Sequence, residues 1–309
     1  RKGGAVSGIV QRFEKSKPVS KTPTSFGLEK TLYAQAMEMS LKVSGLRGAA
    51  FMAGAISAAI SWSGAWFFIA NDWHRVKHLD EIVIDSCLRT VFILAGFYVL
   101  IWMCRLELFA PRDEPTIFDR KNRKVYRLFR ESYPGIRGLL KPWPMRCTEY
   151  DWDLIDAEHN ARMVTNSSTV SRQHTLIFLV RRSATDPTII DSFNMGASIM
   201  HSELSVPAVW EHIRAYMEDD GPALQADEEL APADPPKTFW QMLCGIGPLY
   251  VKTWKIDFGI MLLFHVMFFL FVPMYVLWGL GQWLSGITSF EVDWPDEIKQ
   301  AVGAALPKG

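Results

Sequence analysis

The sequence lacks the short motifs that mark the common enzyme classes. It contains no GxxxxGK[ST] phosphate loop, no GxGxxG after a strand, no GxSxG nucleophile turn and no HExxH zinc motif. Its cysteines, Cys87, Cys104, Cys147 and Cys244, stand far apart without a CxxC pair, so we expect reduced thiols and neither a disulfide framework nor a structural zinc site. Its 33 basic and 33 acidic residues cancel, which gives no sign of nucleic-acid binding. We therefore predict that the protein is not an enzyme and needs no cofactor or metal.

Charge is also missing from long stretches of the chain. Residues 258–285 contain no Asp, Glu, Lys or Arg over 28 residues, and residues 48–70 contain none over 23. A helix rises about 1.5 Å per residue and the hydrocarbon core of a bilayer is about 30 Å thick, so each stretch can cross a membrane. A third apolar run reaches that length over 88–108 if Arg89 and Arg105 extend their guanidinium groups to opposite interfaces. The sequence thus predicts three transmembrane helices.

The distribution of basic residues predicts how these helices are oriented. The chain before residue 48 carries nine Lys and Arg against three acids, and residues 105–130 carry eight against four. Both segments are expected in the cytoplasm, whereas the net acidic loop between the first two spans and the net acidic tail are expected outside. We therefore predict a multi-pass protein of the bacterial inner membrane. Its N-terminus and residues 105–257 are expected in the cytoplasm and its C-terminus in the periplasm.

Composition and periodicity divide the rest of the chain. Residues 1–27 are rich in Lys, Ser, Thr and Pro and are predicted to be a disordered basic tail. Apolar residues at helical spacing over 28–46 predict an amphipathic helix, so residues 28–109 would hold this helix and the first two spans. The remaining predicted segments are an α+β domain (110–221), a Pro-rich acidic linker with an interfacial segment (222–257), the third span (258–285) and a periplasmic tail (286–309).

The inserted domain shows the patterns of an antiparallel sheet. Runs at 116–118 and 125–129 flank a turn in which Asn122 can adopt the left-handed conformation, which predicts a β-hairpin. Further strands are predicted at 148–154, 175–180 and 188–193. Their links are too short for crossover helices, so the sheet should be antiparallel. Ser205 is the expected N-cap of one closing helix that ends at Gly221. The predicted fold is an α+β membrane protein: three transmembrane helices with an inserted cytoplasmic antiparallel-sheet-plus-helix domain.

Two sets of residues are candidates for binding. The first is the basic hairpin turn, which could contact anionic lipid headgroups or simply face water: Arg120, Lys121, Arg123 and Lys124. The second is a helix-packing or partner face in the spans: Ala50, Gly54, Ala58 and His265. An ionisable group at membrane depth is a functional candidate, although a hydrogen bond inside a helix bundle also accounts for a neutral histidine there.

Acidic and histidine pairs could in principle bind a metal. Glu149, Asp151 and Asp153 would project from one face of a strand, and His74 and His78 stand one helical turn apart. Hard cations need oxygen ligands converging from several elements, and no loop supplies them. The solvated face of a strand and two interfacial histidines are the favoured interpretations.

Several runs of sequence resemble a family of uncharacterised bacterial inner-membrane proteins. They are TIFDRKNRKVYRLF, KPWPMRCTEYDWD, DSFNMG, VWEHIRAYMEDDGPAL and FWQMLCGIGPLYVKTWK, within roughly residues 105–285. Members of that family are encoded beside type VI secretion effectors, including colicin-like pore-forming toxins. The resemblance implies an immunity protein that binds a membrane-active toxin. The sheet with one closing helix is also similar to bacterial pleckstrin-homology-like membrane domains, which suggests a lipid-sensing or scaffolding protein instead. The expected partners are membrane lipid and a toxin or effector.

Overall fold

The computed structural model shows an α+β protein with two antiparallel sheets and several long apolar helices. It describes residues 7–40, 47–72, 78–133, 135–166, 169–195, 202–231, 238–244, 258–259, 262 and 266–307. The α+β class and the antiparallel pairing predicted from the sequence are confirmed. The division of the chain differs from the prediction at both termini.

The described residues form nine strands in two sheets. In chain order they are β1 (Ser7–Phe13), β2 (Glu29–Leu32), β3 (Ala36–Met39), β4 (Thr116–Asp119), β5 (Lys124–Arg130), β6 (Met145–Asp151), β7 (Ile155–Asn166), β8 (Thr169–Arg181) and β9 (Ile189–Met195). Sheet A has the order β1-β7-β8-β9, and sheet B has the order β2-β3-β4-β5-β6. Every neighbouring pair is antiparallel. The predicted hairpin is β4–β5, and the last two of the predicted strands fall within β8 and β9.

Seven α-helices lie within the described residues. They are α1 (Ala49–Asp72), α2 (Leu79–Glu107), α3 (Gly135–Leu140), α4 (Ser205–Glu218), α5 (Phe239–Cys244), α6 (Phe268–Thr288) and α7 (Asp296–Val302). α1 and α2 pack together as a hairpin, and α6 packs on α1. By length and composition, α1 and α2 are each apolar enough to cross a membrane. α2 begins before residue 88 because Asp80 and Glu81 fall in its first turn, where the helix dipole favours acids.

The helical hairpin projects from the middle of sheet B. β3 precedes α1 and β4 follows α2, yet β3 and β4 are hydrogen-bonded neighbours with Met37 opposite Phe118. Both ends of the hairpin are therefore held at one place on the domain. Within the described part of the chain, much of the apolar surface of α2 is exposed, with Val91 61% and Leu94 62% exposed.

A hydrophobic core is shared by both sheets and α4. At its centre, Trp210 of α4 stacks on Trp152 and Phe13, with ring centroids 5.9 and 5.5 Å apart. All three are buried. The helix predicted here is confirmed, although Leu204 rather than Ser205 stands at its N-cap. The strand predicted over 148–154 ends earlier, because residues 152–154 form a 3₁₀ turn where the chain passes from sheet B to sheet A.

The N-terminal segment is folded, so two predictions are wrong. Residues 7–27, predicted as part of a disordered tail, contain β1, which pairs with β7. Residues 28–40, predicted as the start of an amphipathic helix, contain β2 and β3, and Leu28 and Met39 lie in the core. The apolar spacing fitted a helix locally, but hydrogen bonding to β4, far along the chain, decides the conformation. Residues 41–46 of that predicted helix lie outside the described part.

The C-terminal tail packs on sheet B. Three of its apolar side chains enter a second core cluster there: Trp294, Ile298 and Val302. The amide of Leu306 donates to the carbonyl of Leu32 at 2.8 Å, which extends the sheet edge. The prediction that residues 286–309 lie across a membrane from residues 105–257 is therefore wrong, because the tail and the domain share a core. The periplasmic location was predicted from the excess of acids in the tail. In the structure one of these acids, Glu291, pairs with Arg112 of the domain.

α6 covers the second half of the predicted third span. Residues 258–267 are described only in part, and His265 lies outside the described residues. The indole of Trp278, midway along α6, donates to the carbonyl of Arg47 at 3.0 Å, and the Phe109 amide after α2 donates to the Thr288 hydroxyl at the end of α6, so α6 passes the start of α1 and ends beside the domain. The two helices are antiparallel.

The acidic segment after α4 packs against the domain instead of forming a free linker up to residue 231. The Glu228 carboxylate accepts hydrogen bonds from the amide and hydroxyl of Ser25 at 2.9 and 2.7 Å. The Ala231 amide donates to the Glu29 carbonyl. These bonds tie the segment to the N-terminal part of the chain. Residues 232–237 lie outside the described part.

Lys15, just after β1, predicts a pH dependence of stability. Its ammonium donates to the carbonyl of Trp152 and lies 4.6 Å from the centroid of that ring. Burial lowers the pKa of Lys15 from 10.5 to about 8, although Asp153 and Glu218 oppose the shift. Between these two values the unfolded chain binds a proton that the folded chain does not. We therefore expect the free energy of unfolding to rise with pH across this window, by roughly 1 kcal/mol per unit.

Lys15→Met removes this titration and keeps a long apolar stem. We expect the variant to lack the rise that the wild type shows when thermal unfolding of the detergent-solubilised full chain is followed from about pH 8 to pH 10.5. Lys21→Met, at an exposed position, is the control and should follow the wild type. Identical pH profiles for the wild type and Lys15→Met would contradict the prediction.

Candidate functional site at the helix–domain junction

A cavity of about 410 Å³ lies where α1 begins and where α2 and α6 end. Charged side chains of both signs line it: Arg47, Arg112, Arg130, Glu107, Asp113 and Glu114. Trp143 and Ser285 also contribute to the wall. The cavity therefore adjoins three apolar helices on one side and sheet B on the other.

The carboxylate of Glu107 joins the two ends of the helical hairpin. It is the last residue of α2, and it accepts hydrogen bonds from the amides of Gly48 and Phe51 at the start of α1, the latter at 2.7 Å. The first amides of a helix have no intrahelical partner, and a carboxylate there satisfies them and complements the helix dipole. The Ser285 hydroxyl of α6 lies 3.4 Å from the Glu107 carbonyl. One residue thus connects all three helices.

Two glycines allow α1 and α6 to approach closely beside this carboxylate. A Cβ on Gly281 would lie 3.0 Å from the Cα of Gly48. Gly48 itself has φ +85°, and a Cβ there would lie 2.7 Å from the Trp278 carbonyl. Backbone contact of this kind needs residues without side chains. The junction is therefore fixed by shape as well as by charge.

The arginines of the cavity wall are oriented by contacts inside the chain. Arg47 donates to the carbonyl of Arg112 at 2.7 Å, and Arg112 forms an ion pair with Glu291 of the C-terminal tail at 2.9 Å. Burial raises the pKa of Glu114, opposed by a hydrogen bond from the amide of Arg130. The arrangement couples the tail, the sheet and the helix ends. It can hold an anionic group, but its described residues present no arrangement of nucleophile and base.

The basic hairpin turn lies at the other end of β5 from the cavity. Arg123 pairs with Asp153 at 2.5 Å and with Glu218 at 3.2 Å. Lys124 pairs with Glu149, and the Arg120 guanidinium lies 4.8 Å from the Tyr216 ring. The seven residues of β5 separate this turn from Arg130 by about 20 Å.

Three of the four predicted headgroup contacts are thus engaged inside the domain. Lys121 is exposed and, alone of the four, has no ion-pair partner within the described part of the chain. Contact of these residues with lipid stays a prediction, and the favoured role of Arg120, Arg123 and Lys124 is to hold the domain together.

The predicted helix-packing face lies between α1 and α2. A Cβ on Gly54 would lie 2.6 Å from the Cβ of Met103, so α2 covers this position. Ala58, one turn further, is fully buried, while Ala50 lines the cavity. The small residues therefore bring the two helices of the hairpin together. Their use by a partner stays a prediction.

Sequence reasoning missed two buried polar pairs. Glu29 of β2 and His212 of α4 are both fully buried, with His212 Nε2 against the Glu29 carboxylate, and His212 Nδ1 lies 3.1 Å from Gln225. Nε2 of His159 lies 2.7 Å from Nδ1 of His174 across sheet A. Each pair joins residues distant in sequence, so no local pattern signals it. No group of three or more possible metal ligands occurs among the described residues, where Cys87, Cys104 and Cys147 are free thiols.

Comparison with known proteins gives one match. The profile of a family of unknown function (DUF6708) matches residues 93–305, more than half of the chain. The matched range runs from α2 to the C-terminal tail and includes most of the cavity wall. No curated protein and no solved structure matches the chain.

Proposed function

The chain belongs to the DUF6708 family of unknown function, and we propose that it is a membrane-embedded binding protein, specifically an immunity protein that neutralises a membrane-active toxin of type VI secretion. The observation that carries the proposal is that α1 and α2, two apolar helices long enough to cross a bilayer, are attached to a folded domain. The Glu107 carboxylate joins the end of α2 to the start of α1, and the pairing of β3 with β4 brings both helix ends to sheet B. A protein that acts by binding a toxin requires a contact surface and does not require reactive groups.

Exposure of the helices supports a place in the bilayer. Large apolar side chains of α2 are left exposed by the residues that the structure describes: Val91, Leu94, Phe97 and Ile101. Leaving such a side chain in water instead of burying it costs about 1.5–3 kcal/mol. A bilayer removes this cost along the uncharged parts of α1 and α2. α6 would be a third membrane helix beside α1.

The contacts of the tail support an orientation with both termini on one side. The N-terminal strands, sheet B and the tail pack together, and the basic residues before α1 and after α2 favour the cytoplasm for all of them. α6 ends at the domain, where the amide of Phe109 donates to the hydroxyl of Thr288, so the tail that follows α6 would lie on the same side as sheet B.

The free surfaces suggest where a toxin would bind. The row Gly54 and Ala58 is covered by α2, which leaves the outer face of α2 for contact within the bilayer. A pore-forming toxin could be held there before its own helices assemble. The cytoplasmic domain would supply the remaining contacts. The similarity to pleckstrin-homology-like domains stays an interpretation of the sequence.

Co-expression with neighbouring effectors tests the proposal. Cells that carry a membrane-active effector encoded beside this chain should retain viability and membrane potential when the chain is present, and lose both without it. A variant with Gly27→Ala, a change in open space, should protect as well as the wild type. If the folded, membrane-inserted protein protects against none of the neighbouring effectors, the immunity function is wrong.

A lipid-sensing or scaffolding protein is the second candidate. The residues first considered for it, in the turn 120–124, are mostly paired within the domain. A different cationic cluster, around α3, favours this candidate. Neither function requires catalysis.

A further inference from the structure

α3 lies against the end of α2 nearest the domain. It occurs in the connection between β5 and β6, and a Cβ on Gly138 would collide with the Trp102 ring of α2. The Arg105 guanidinium of α2 donates to the carbonyls of Leu139 and Lys141 at the end of α3. The last carbonyls of a helix lack intrahelical partners, so these bonds fix α3 on α2.

The outer side of α3 combines an apolar row with a basic row. Ile136 is 69% and Leu140 79% exposed, and they stand one helical turn apart. Arg137 and Lys141 are likewise exposed and one turn apart. Helical residues four apart share a face, so the two rows run side by side. Such a surface suits the boundary between acyl chains and headgroups.

The charge around α3 is positive. The guanidinium carbons of Arg105 and Arg130 lie 5.8 and 4.6 Å from the Trp143 ring centroid. Burial, and then the nearby charge of Arg105, lower the pKa of Arg130. Among the described residues no carboxylate forms an ion pair with Arg105, Arg137 or Lys141. The cluster thus has cationic charge that the described part of the chain does not neutralise.

The depth of α3 matches that of lipid headgroups. Trp102 lies five residues before Glu107, the last residue of α2, which is about 7 Å along the helix axis. Trp102 and Trp143 meet edge to face at 5.9 Å. Tryptophan at a helix end near basic residues is typical of a membrane interface.

We propose that α3 and its surroundings bind an anionic phospholipid of the bilayer. The phosphodiester would lie among Arg105, Arg137 and Lys141, with Ile136 and Leu140 entering the acyl region beside it. Arginine donates two parallel hydrogen bonds to a phosphate, and each basic residue near an anionic surface adds to binding. The inference rests on the proposed membrane position of α1 and α2. It adds a lipid class and a site to that position.

Hydrogen–deuterium exchange on the full chain in nanodiscs tests the site. With phosphatidylglycerol present, amides of 135–141 should exchange about tenfold more slowly than in phosphatidylcholine alone, because two or more cations hold the lipid over the helix. Arg137→Gln with Lys141→Gln should abolish the difference. The matched control, Lys21→Gln with Arg172→Gln, removes the same charge at exposed positions in the N-terminal segment and on β8 and should keep it.

The outcomes separate this inference from the proposed function. Equal exchange in both lipid compositions, or an equal effect of the control pair, overturns the lipid site. Protection by inorganic phosphate added to phosphatidylcholine nanodiscs also overturns it, because a soluble anion would then suffice. Extraction of the wild-type chain by alkaline carbonate would instead refute the membrane position itself. Retention in carbonate together with unchanged exchange would refute the α3 site alone.

Discussion

Gly48→Ala is expected to destabilise the contact between α1 and α6 severely. The new Cβ would lie 2.7 Å from the Gln282 amide and from the Trp278 carbonyl, both backbone atoms that cannot rotate away. Gly48 also has φ +85°, a backbone conformation that residues other than glycine rarely adopt. The collision and the backbone strain together should lower the free energy of unfolding by about 3 kcal/mol or more. Thermal and denaturant unfolding of the detergent-solubilised full chain measures this loss.

Gly27→Ala separates the two causes. Gly27 has φ +67°, but a Cβ there would have no atom within 4 Å of it, so only the strain applies. We expect a loss of about 1 kcal/mol there. If the two variants lose the same stability, α1 and α6 do not meet as closely as the junction requires. Loss of toxin protection by Gly48→Ala, but not by Gly27→Ala, would link the junction to function.

The C-terminal tail is expected to be reached by a membrane-impermeant thiol reagent from the same side as the domain. Cysteines introduced at Ala304 in the tail and at Asp151 in the domain should both react only after the cells are permeabilised, so that the reagent reaches the cytoplasmic face of the membrane. This is an all-or-none result, because no reagent at one face reaches a side chain across about 30 Å of hydrocarbon. The measurement uses the full chain with its own cysteines replaced.

Leu79→Cys serves as the opposite marker. Leu79 is 81% exposed at the first turn of α2, the end remote from the domain. It should react from outside intact cells. Labelling of Ala304→Cys together with Leu79→Cys from outside would contradict the shared position of tail and domain. Labelling of all three from the same side would contradict a hairpin that crosses the bilayer.

Elements governed by local chemistry were predictable from the sequence. α1 occupies 49–72 against a predicted 48–70, because an uncharged run of that length has few alternatives to a helix. The hairpin β4–β5 was predicted correctly, although Arg123 (φ +51°) and not Asn122 adopts the left-handed conformation in its turn, and α4 follows from an apolar face at helical spacing. The predicted bounds failed mainly at termini of elements. At α2, acids in the first turn extend the helix beyond its apolar run.

Elements governed by distant partners were not predictable. β2 and β3 are strands because β3 pairs with β4, which follows both long helices in the chain. A local residue pattern contains no sign of that pairing. The sequence analysis assigned the tail to the periplasm from its acidic charge. In the structure the tail lies on sheet B, where the Trp294 side chain is buried. The candidate site was missed for the same reason. In the sequence, Glu107 is one acid at the end of a predicted span. Its role depends on the fold, which brings the amides of Gly48 and Phe51 to its carboxylate.

The insertion of the helical hairpin between adjacent strands constrains how the protein is made. β3 leaves the ribosome before α1 and α2, but its partner β4 follows them. Sheet B can close only after both helices have been synthesised and placed. Until then β3 is an unpaired edge, which favours aggregation or chaperone binding. With α1 and α2 in the proposed membrane position, insertion of the two helices and closure of sheet B would depend on each other, and a chain stopped before β4 would leave both incomplete.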